Sequence, residues 1–130
     1  MESIAIVTVL ALVQYLVFSY QVSLARIKHS VRAPAMTGHP EFERAYRVHQ
    51  NTLEQIVVFV PALWMFAVYV HALTGAIIGL LFPLGRYIYG KSYMNDPSRR
   101  AAGFTIGAAS TAILLTGAAI GALISWIRPL

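Results

Sequence analysis

A chain of 130 residues that is 58% hydrophobic and only 12% charged does not suit a water-soluble fold, since soluble domains carry about 25% charged residues and small ones bury only roughly 60–70% of their surface. The absence of cysteine excludes a disulfide framework and any thiolate nucleophile of the chain's own, so thiol chemistry would have to arrive with a substrate. The net charge of +5 is not the exposed stripe that binds nucleic acid: Arg26, Lys28, Arg32, Arg44 and Arg47 cluster before and into one apolar run, and Lys91, Arg99 and Arg100 lie between two others, as in juxtamembrane loops.

The first apolar segment, Ser3 to Ala25, has no charge and ends in Ser-Leu-Ala-Arg-Ile-Lys. It is too long and too acidic at its start for a signal peptide, and a spanning helix needs about 20 apolar residues. Helix one is therefore expected over about 3–26. Pro34, Gly38 and Pro40 mark the following loop. Helix two is expected over about 41–71, with Glu41 and Glu43 favouring its N-terminal dipole and Pro61 kinking it. His71 to Gly75 reads as a short turn. Helix three is expected over about 76–94, with Gly79, Gly85 and Gly90 as close-packing positions. Asn95-Asp96-Pro97-Ser98 is a break with capping chemistry. Helix four is expected over about 98–127, carrying small-residue rows (Gly103, Gly107, Ser110; Gly117, Gly121, Ser125). The expected architecture is all-α, a single integral membrane four-helix bundle spanning 1–130. The Lys and Arg distribution places loops one and three in the cytoplasm and both termini on the opposite side.

The chemistry concentrates in two helix stripes. Arg47, Asn51 and Glu54 fall at i, i+4 and i+7 and share one face; a cation, an amide and a carboxylate on one stripe suit a ligand bearing both charge signs. An internal lock, with Arg47 and Glu54 satisfying each other, fits the same spacing. Arg86, Tyr89 and Tyr93 form a second face on helix three. Arg86 interrupts an apolar run and needs a partner or a ligand, and Glu54 is the one carboxylate at comparable depth. The tyrosines also suit an interfacial belt, and Arg99 suits headgroup anchoring by snorkelling. His29, His39, His49 and His71 show no metal-ligand spacing, and no residue is read as a metal ligand.

The run Gly38-His-Pro-Glu-Phe-Glu-Arg-Ala-Tyr-Arg-Val-His-Gln-Asn-Thr-Leu-Glu54, with Gly85-Arg-Tyr-Ile-Tyr-Gly-Lys-Ser-Tyr93 and Arg99-Arg100, resembles the membrane-associated proteins in eicosanoid and glutathione metabolism, the MAPEG family. The resemblance runs from about Gln21 to Phe104. It implies a homotrimer with glutathione bound between subunits near the cytoplasmic side. Arg47, Asn51 and Glu54 would hold the charged ends of glutathione, Arg26 would contribute from the adjacent subunit, and Arg86, Tyr89 and Tyr93 would complete the pocket. Arg100 would sit beside the sulfur as the catalytic residue. Two positions depart from leukotriene C4 synthase: Gln55 stands where that enzyme has a tyrosine, and Ile27 where it has a second arginine.

The implied function is a membrane-bound glutathione transferase acting on lipophilic electrophiles, with lipid-hydroperoxide reduction as a further activity and no cofactor beyond glutathione as co-substrate. The alternative is a non-catalytic glutathione- or lipid-binding scaffold of the same fold. Arg100 argues against the scaffold, because the family's five-lipoxygenase-activating branch lacks a matching arginine. A small drug–proton antiporter would need a carboxylate in helix one, and Ser3 to Ala25 has none.

Overall fold

The computed structural model describes residues 1–128. Its described residues form five α-helices and one 3-10 turn: α1 (Glu2–His29), α2 (Pro40–Tyr69), α3 (Ala72–Gly79), α4 (Leu81–Asn95), the turn Pro97–Arg99 and α5 (Ala101–Ile127). With α3 and α4 forming one interrupted span, four segments are long and apolar enough to cross a membrane. Ile6, Leu16, Val57, Val68, Ile77 and Trp126 point outward, an apolar exterior that lipid solvates. The protein is an integral, multi-pass membrane protein.

The helix ends follow local chemistry. α1 stops at Ser30, which takes a left-handed φ of 54, and the Val31 N–H returns to the Arg26 carbonyl at 3.0 Å, satisfying a C-terminal carbonyl. α2 opens with Pro40 in its first turn and His39 as cap, whose Nδ1 accepts from the Glu41 N–H at 3.1 Å. That bond leaves the proton of the neutral ring on Nε2. The His39 ring stacks on His29 at 3.5 Å, and His29 Nε2 lies 3.0 Å from Glu41 Oε2. Sequence spacing hides this cluster of His29, His39 and Glu41; the reversal between α1 and α2 assembles it.

The stretch expected as a turn, His71 to Gly75, is largely helical. His71 caps α3 by accepting from the Thr74 N–H at 3.2 Å, so only Val70 and His71 separate the end of α2 at Tyr69 from the start of α3 at Ala72. Gly75 is a packing glycine, since a Cβ there would lie 2.9 Å from the Phe66 ring. The single third helix expected over 76–94 is instead broken at Leu80. Pro83 explains the break, because it has no N–H to return to the preceding turn. Two side chains bond carbonyls beside this break: Ser110 Oγ donates to Ile78 O at 2.8 Å, and Gln14 Nε2 donates to Pro83 O at 2.8 Å.

One apolar core joins the spans, with Ile4, Val7 and Ala11 of α1 packed with Phe59, Leu63 and Phe66 of α2, Phe82 of α4 and Leu114 of α5. Phe59 and Phe82 stack at 4.0 Å. α4 and α5 approach backbone to backbone. A Cβ on Gly85 would stand 2.6 Å from the Gly107 nitrogen, and one on Gly103 would collide with the backbone of Tyr89. Ser125, expected to extend the second small-residue row, is exposed. Arg44 closes the C-terminus of α4, donating to Met94 O at 3.0 Å, where a cation also suits the helix dipole.

Candidate functional site

At the end of the bundle where α2 and α5 begin and α4 ends, a cleft of about 600 Å³ opens. Arg47 and Asn51 of α2, Tyr89 and Tyr93 of α4, and Arg100 and Phe104 at the start of α5 line it. The glycine contact between α4 and α5 sets this spacing. It brings the Tyr89 ring within 6.4 Å of Phe104 and leaves Tyr93 stacked on Tyr89 at 5.5 Å.

Beneath the cleft lies Arg86, only 1% exposed. Its Nη2 donates to Asn51 Oδ1 at 2.8 Å and to Thr52 Oγ1 at 3.0 Å, and its Nε donates to the same hydroxyl at 3.3 Å. Thr52 in turn donates to Val48 O at 2.7 Å. The guanidinium sits 4.1 Å from the Tyr89 ring centroid, a cation–π arrangement. Among the described residues it makes no carboxylate pair, and the Arg86–Glu54 pairing left open by the sequence is not formed. A buried guanidinium with only neutral partners leaves its charge uncompensated, which favours an anion nearby. The bond to Arg86 also fixes Asn51 with its oxygen inward, leaving its NH₂ to donate elsewhere.

Replacing Arg86 by methionine removes the partner of the buried Asn51 oxygen. The expected loss of stability is about 1–3 kcal/mol, measured by denaturant unfolding in detergent. The double change Arg86→Met with Asn51→Leu should recover part of that loss, because it removes the orphaned amide while the Thr52 hydroxyl keeps its bond to the Val48 carbonyl.

The rim is more open. Arg47 Nη1 lies 3.9 Å from Glu54 Oε1, with both side chains 54% exposed, which is a weak surface pair rather than a lock. Arg100 is exposed, donates to Pro97 O at 2.9 Å and has no carboxylate partner among the described residues. Arg99 instead faces Asp96 at 3.9 Å and does not line the cleft. Asp96 shapes the turn that presents Arg100: its Oδ1 accepts from the Ser98 N–H at 3.0 Å. Bonds from Ser98, reinforced by the Arg99 and Arg44 charges, hold its carboxyl below the usual aspartate range.

Of the residues expected from sequence, Arg47, Asn51, Tyr89, Tyr93 and Arg100 meet at one cleft, Arg86 underlies it and Glu54 adjoins it through Arg47. Arg26 is elsewhere within this chain. Its Nη1 donates to Ala35 O at 2.8 Å and its guanidinium lies 4.6 Å from the Phe42 ring, holding the loop between α1 and α2. Sequence reasoning missed Thr52 and Phe104. Thr52 sits in the mostly polar stretch from His49 to Gln55, where nothing set its hydroxyl apart from its neighbours; Phe104 carried no signal either, because it sits among many apolar residues of α5.

The site can bind a ligand with both charge signs and an excess of negative charge, combining guanidinium groups, an amide, two phenols and one carboxylate beside an apolar ring. The MAPEG family profile matches residues 4–120. An uncharacterized protein of Synechocystis sp. is 43% identical over 119 residues, covering 92% of this chain and 87% of that protein. Human microsomal glutathione S-transferase 2 is 36% identical over 118 residues, 91% of this chain and 80% of its own. Leukotriene C4 synthase of Cavia porcellus is 37% identical over 120 residues, 92% of this chain and 80% of its own. With four spanning segments, this polar cleft and a match covering nearly its whole length, the chain belongs to the MAPEG family.

Proposed function

We propose that the cleft binds glutathione and that the protein is a membrane-bound glutathione transferase, joining the glutathione sulfur to lipophilic electrophiles. The convergence of Arg47, Asn51, Tyr89, Tyr93 and Arg100 on one cleft carries this reading. The name of the human relative supports glutathione as the ligand class.

Each residue has a distinct part. Arg47 and Glu54 offer opposite charges to the carboxylates and the amine of the tripeptide, and Asn51 offers amide donors in a fixed orientation. Arg86 supplies a buried positive field beneath the cleft, and Tyr89 and Tyr93 wall it. Arg100 is assigned to the sulfur. A free thiol has a pKa near 8.5, so only a few per cent is thiolate at pH 7. A neighbouring guanidinium lowers such a pKa by about 1–3 units, and the thiolate is the nucleophile. The thiol proton leaves to water, the sulfur lone pair forms the new bond to the electrophilic carbon, and the leaving group departs with its electrons. The guanidinium transfers no proton. A cleft at the membrane surface brings a water-borne thiol and a lipid-dissolved electrophile together. Lipid-hydroperoxide reduction is a second activity in this reading. The thiolate takes the outer peroxide oxygen, and the lipid leaves as its alcohol after protonation. A second glutathione converts the sulfenic acid to glutathione disulfide and water, with no cofactor beyond glutathione.

The working assembly in this reading is a homotrimer with clefts between copies, where Arg26 of a neighbouring copy would add a contact. The basic loops between α1 and α2 and between α4 and α5 face the cytoplasm.

The test is glutathione binding by the detergent-purified protein, followed by conjugation of a chloronitrobenzene. Saturable binding with turnover is the expected result. Binding without turnover would instead favour the non-catalytic scaffold, and no binding would remove glutathione from the reading altogether. Mass measurement in detergent tests the trimer.

A further inference from the structure

A second depression, of about 410 Å³, runs along α1 beside α2 and α4 and shares no lining residue with the cleft. Its lining is mostly apolar at one end, where Gln14 is turned to the Pro83 carbonyl, and polar at the other. Leu10, Val13 and Val17 of α1 line one part, while Gln21 of α1 with Lys91 and Asn95 of α4 line the part toward the loops. At 1.5 Å per residue, the trough from Leu10 to Gln21 is about 16 Å long, about half of a ~30 Å hydrocarbon core. It therefore matches a single leaflet, with its polar end at the membrane surface. Leu10, Val13 and Val17 are exposed in the chain, so the apolar wall is open to lipid.

Charge distinguishes this trough from a merely greasy surface. Lys28 is engaged by Glu41 at 3.3 Å, Arg44 by the carbonyl of Met94 and Arg26 by that of Ala35. Lys91 is exposed and has no carboxylate partner among the described residues. The Tyr87 ring centroid lies 5.8 Å from its Nζ, and Tyr87 also lines the trough. An unpaired ammonium at the surface end of an apolar trough one leaflet deep complements a negative headgroup carrying an acyl chain.

We propose that this trough binds one anionic phospholipid of the surrounding bilayer, with an acyl chain along Leu10, Val13 and Val17 and the phosphate at Lys91. Gln21 and Asn95 flank the headgroup and offer hydrogen bonds to its ester region. This site stands apart from the glutathione reading, and neither depends on the other.

The experiment is native mass spectrometry of the delipidated full chain in detergent, titrated with phosphatidylglycerol and phosphatidylcholine of identical acyl chains. One phosphatidylglycerol should be retained per chain, about fivefold in preference to phosphatidylcholine, as expected of one lysine at a headgroup. Lys91→Gln should abolish the preference while leaving glutathione affinity unchanged. Val17→Trp, at an exposed position that tolerates bulk, should weaken retention of both lipids without loss of helicity. Equal retention of the two lipids by the unaltered protein would overturn the proposal, as would a preference that survives Lys91→Gln. Spontaneous crosslinking of Val17→Cys between copies would put a second chain in the trough and also overturn it.

Discussion

Replacing Arg100 by alanine is expected to lower conjugation at pH 7 by at least about tenfold while leaving glutathione affinity within a few-fold. The size follows from the thiol equilibrium, because returning the bound sulfur to a pKa near 8.5 leaves only a few per cent as thiolate, and the guanidinium contribution is worth about 1–3 units. The sign gives a second readout. Thiolate in the variant should form as the pH rises through the free-thiol range, so its rate should climb between about pH 7 and 9 and approach the unaltered enzyme at the alkaline end. The unaltered enzyme should already be near its plateau there. Arg100 is exposed and holds only the Pro97 carbonyl, so its removal leaves the helices intact. Turnover that is unchanged at pH 7, or lost equally at every pH, would reject it as the sulfur's partner. Because the chain has no cysteine, thiolate absorbance in this experiment would report bound and free glutathione alone.

A pair of glycine substitutions four residues apart should have opposite outcomes. In Gly103→Ala the new methyl would enter the backbone of Tyr89, so α4 and α5 must part. Overpacking costs about 1–3 kcal/mol when side chains can yield, and a backbone obstacle places this change at or above the top of that range. The separation would carry Tyr89 away from Phe104 and Arg100, so glutathione binding should fall together with stability. In Gly107→Ala the nearest atom to the new methyl is the Arg86 side chain at 3.7 Å, an ordinary contact. The helix gains up to about 1 kcal/mol of propensity, and binding should survive. Thermal unfolding in detergent and glutathione titration measure both changes. Equal tolerance of the two would refute the close approach of α4 and α5.

That pair also shows what the sequence could and could not convey. The row Gly103, Gly107, Ser110 announces a close-packed face, but the spacing treats its two glycines alike; only the position of the partner backbone separates them. Arg47 and Asn51 were legible because helical periodicity places them on one face whatever surrounds the helix. The fate of Arg86 was not, since Glu54, Asn51 and Thr52 all lie within its sequence-level reach and tertiary geometry chose the amide and the hydroxyl. The span boundaries followed from apolar length and capping residues, whereas the break at Leu80 was obscured because Pro83 sits among residues as apolar as the rest of the span. Arg26 was expected in the pocket only because the resemblance implied sites between copies, and within one chain it serves a loop.

The hydroxyl of Ser110 on the Ile78 carbonyl has a consequence for the cleft far above it. A helix rich in glycine and alanine presents a smooth surface, along which a neighbour could slide by a turn of 5.4 Å with little steric resistance. Water does not compete for a hydrogen bond inside the hydrocarbon, so this contact acts as a vertical stop that fixes the height of α5. Arg100 lies about 15 Å further along the same rod, and its level relative to Tyr89 is thereby set from the middle of the bilayer.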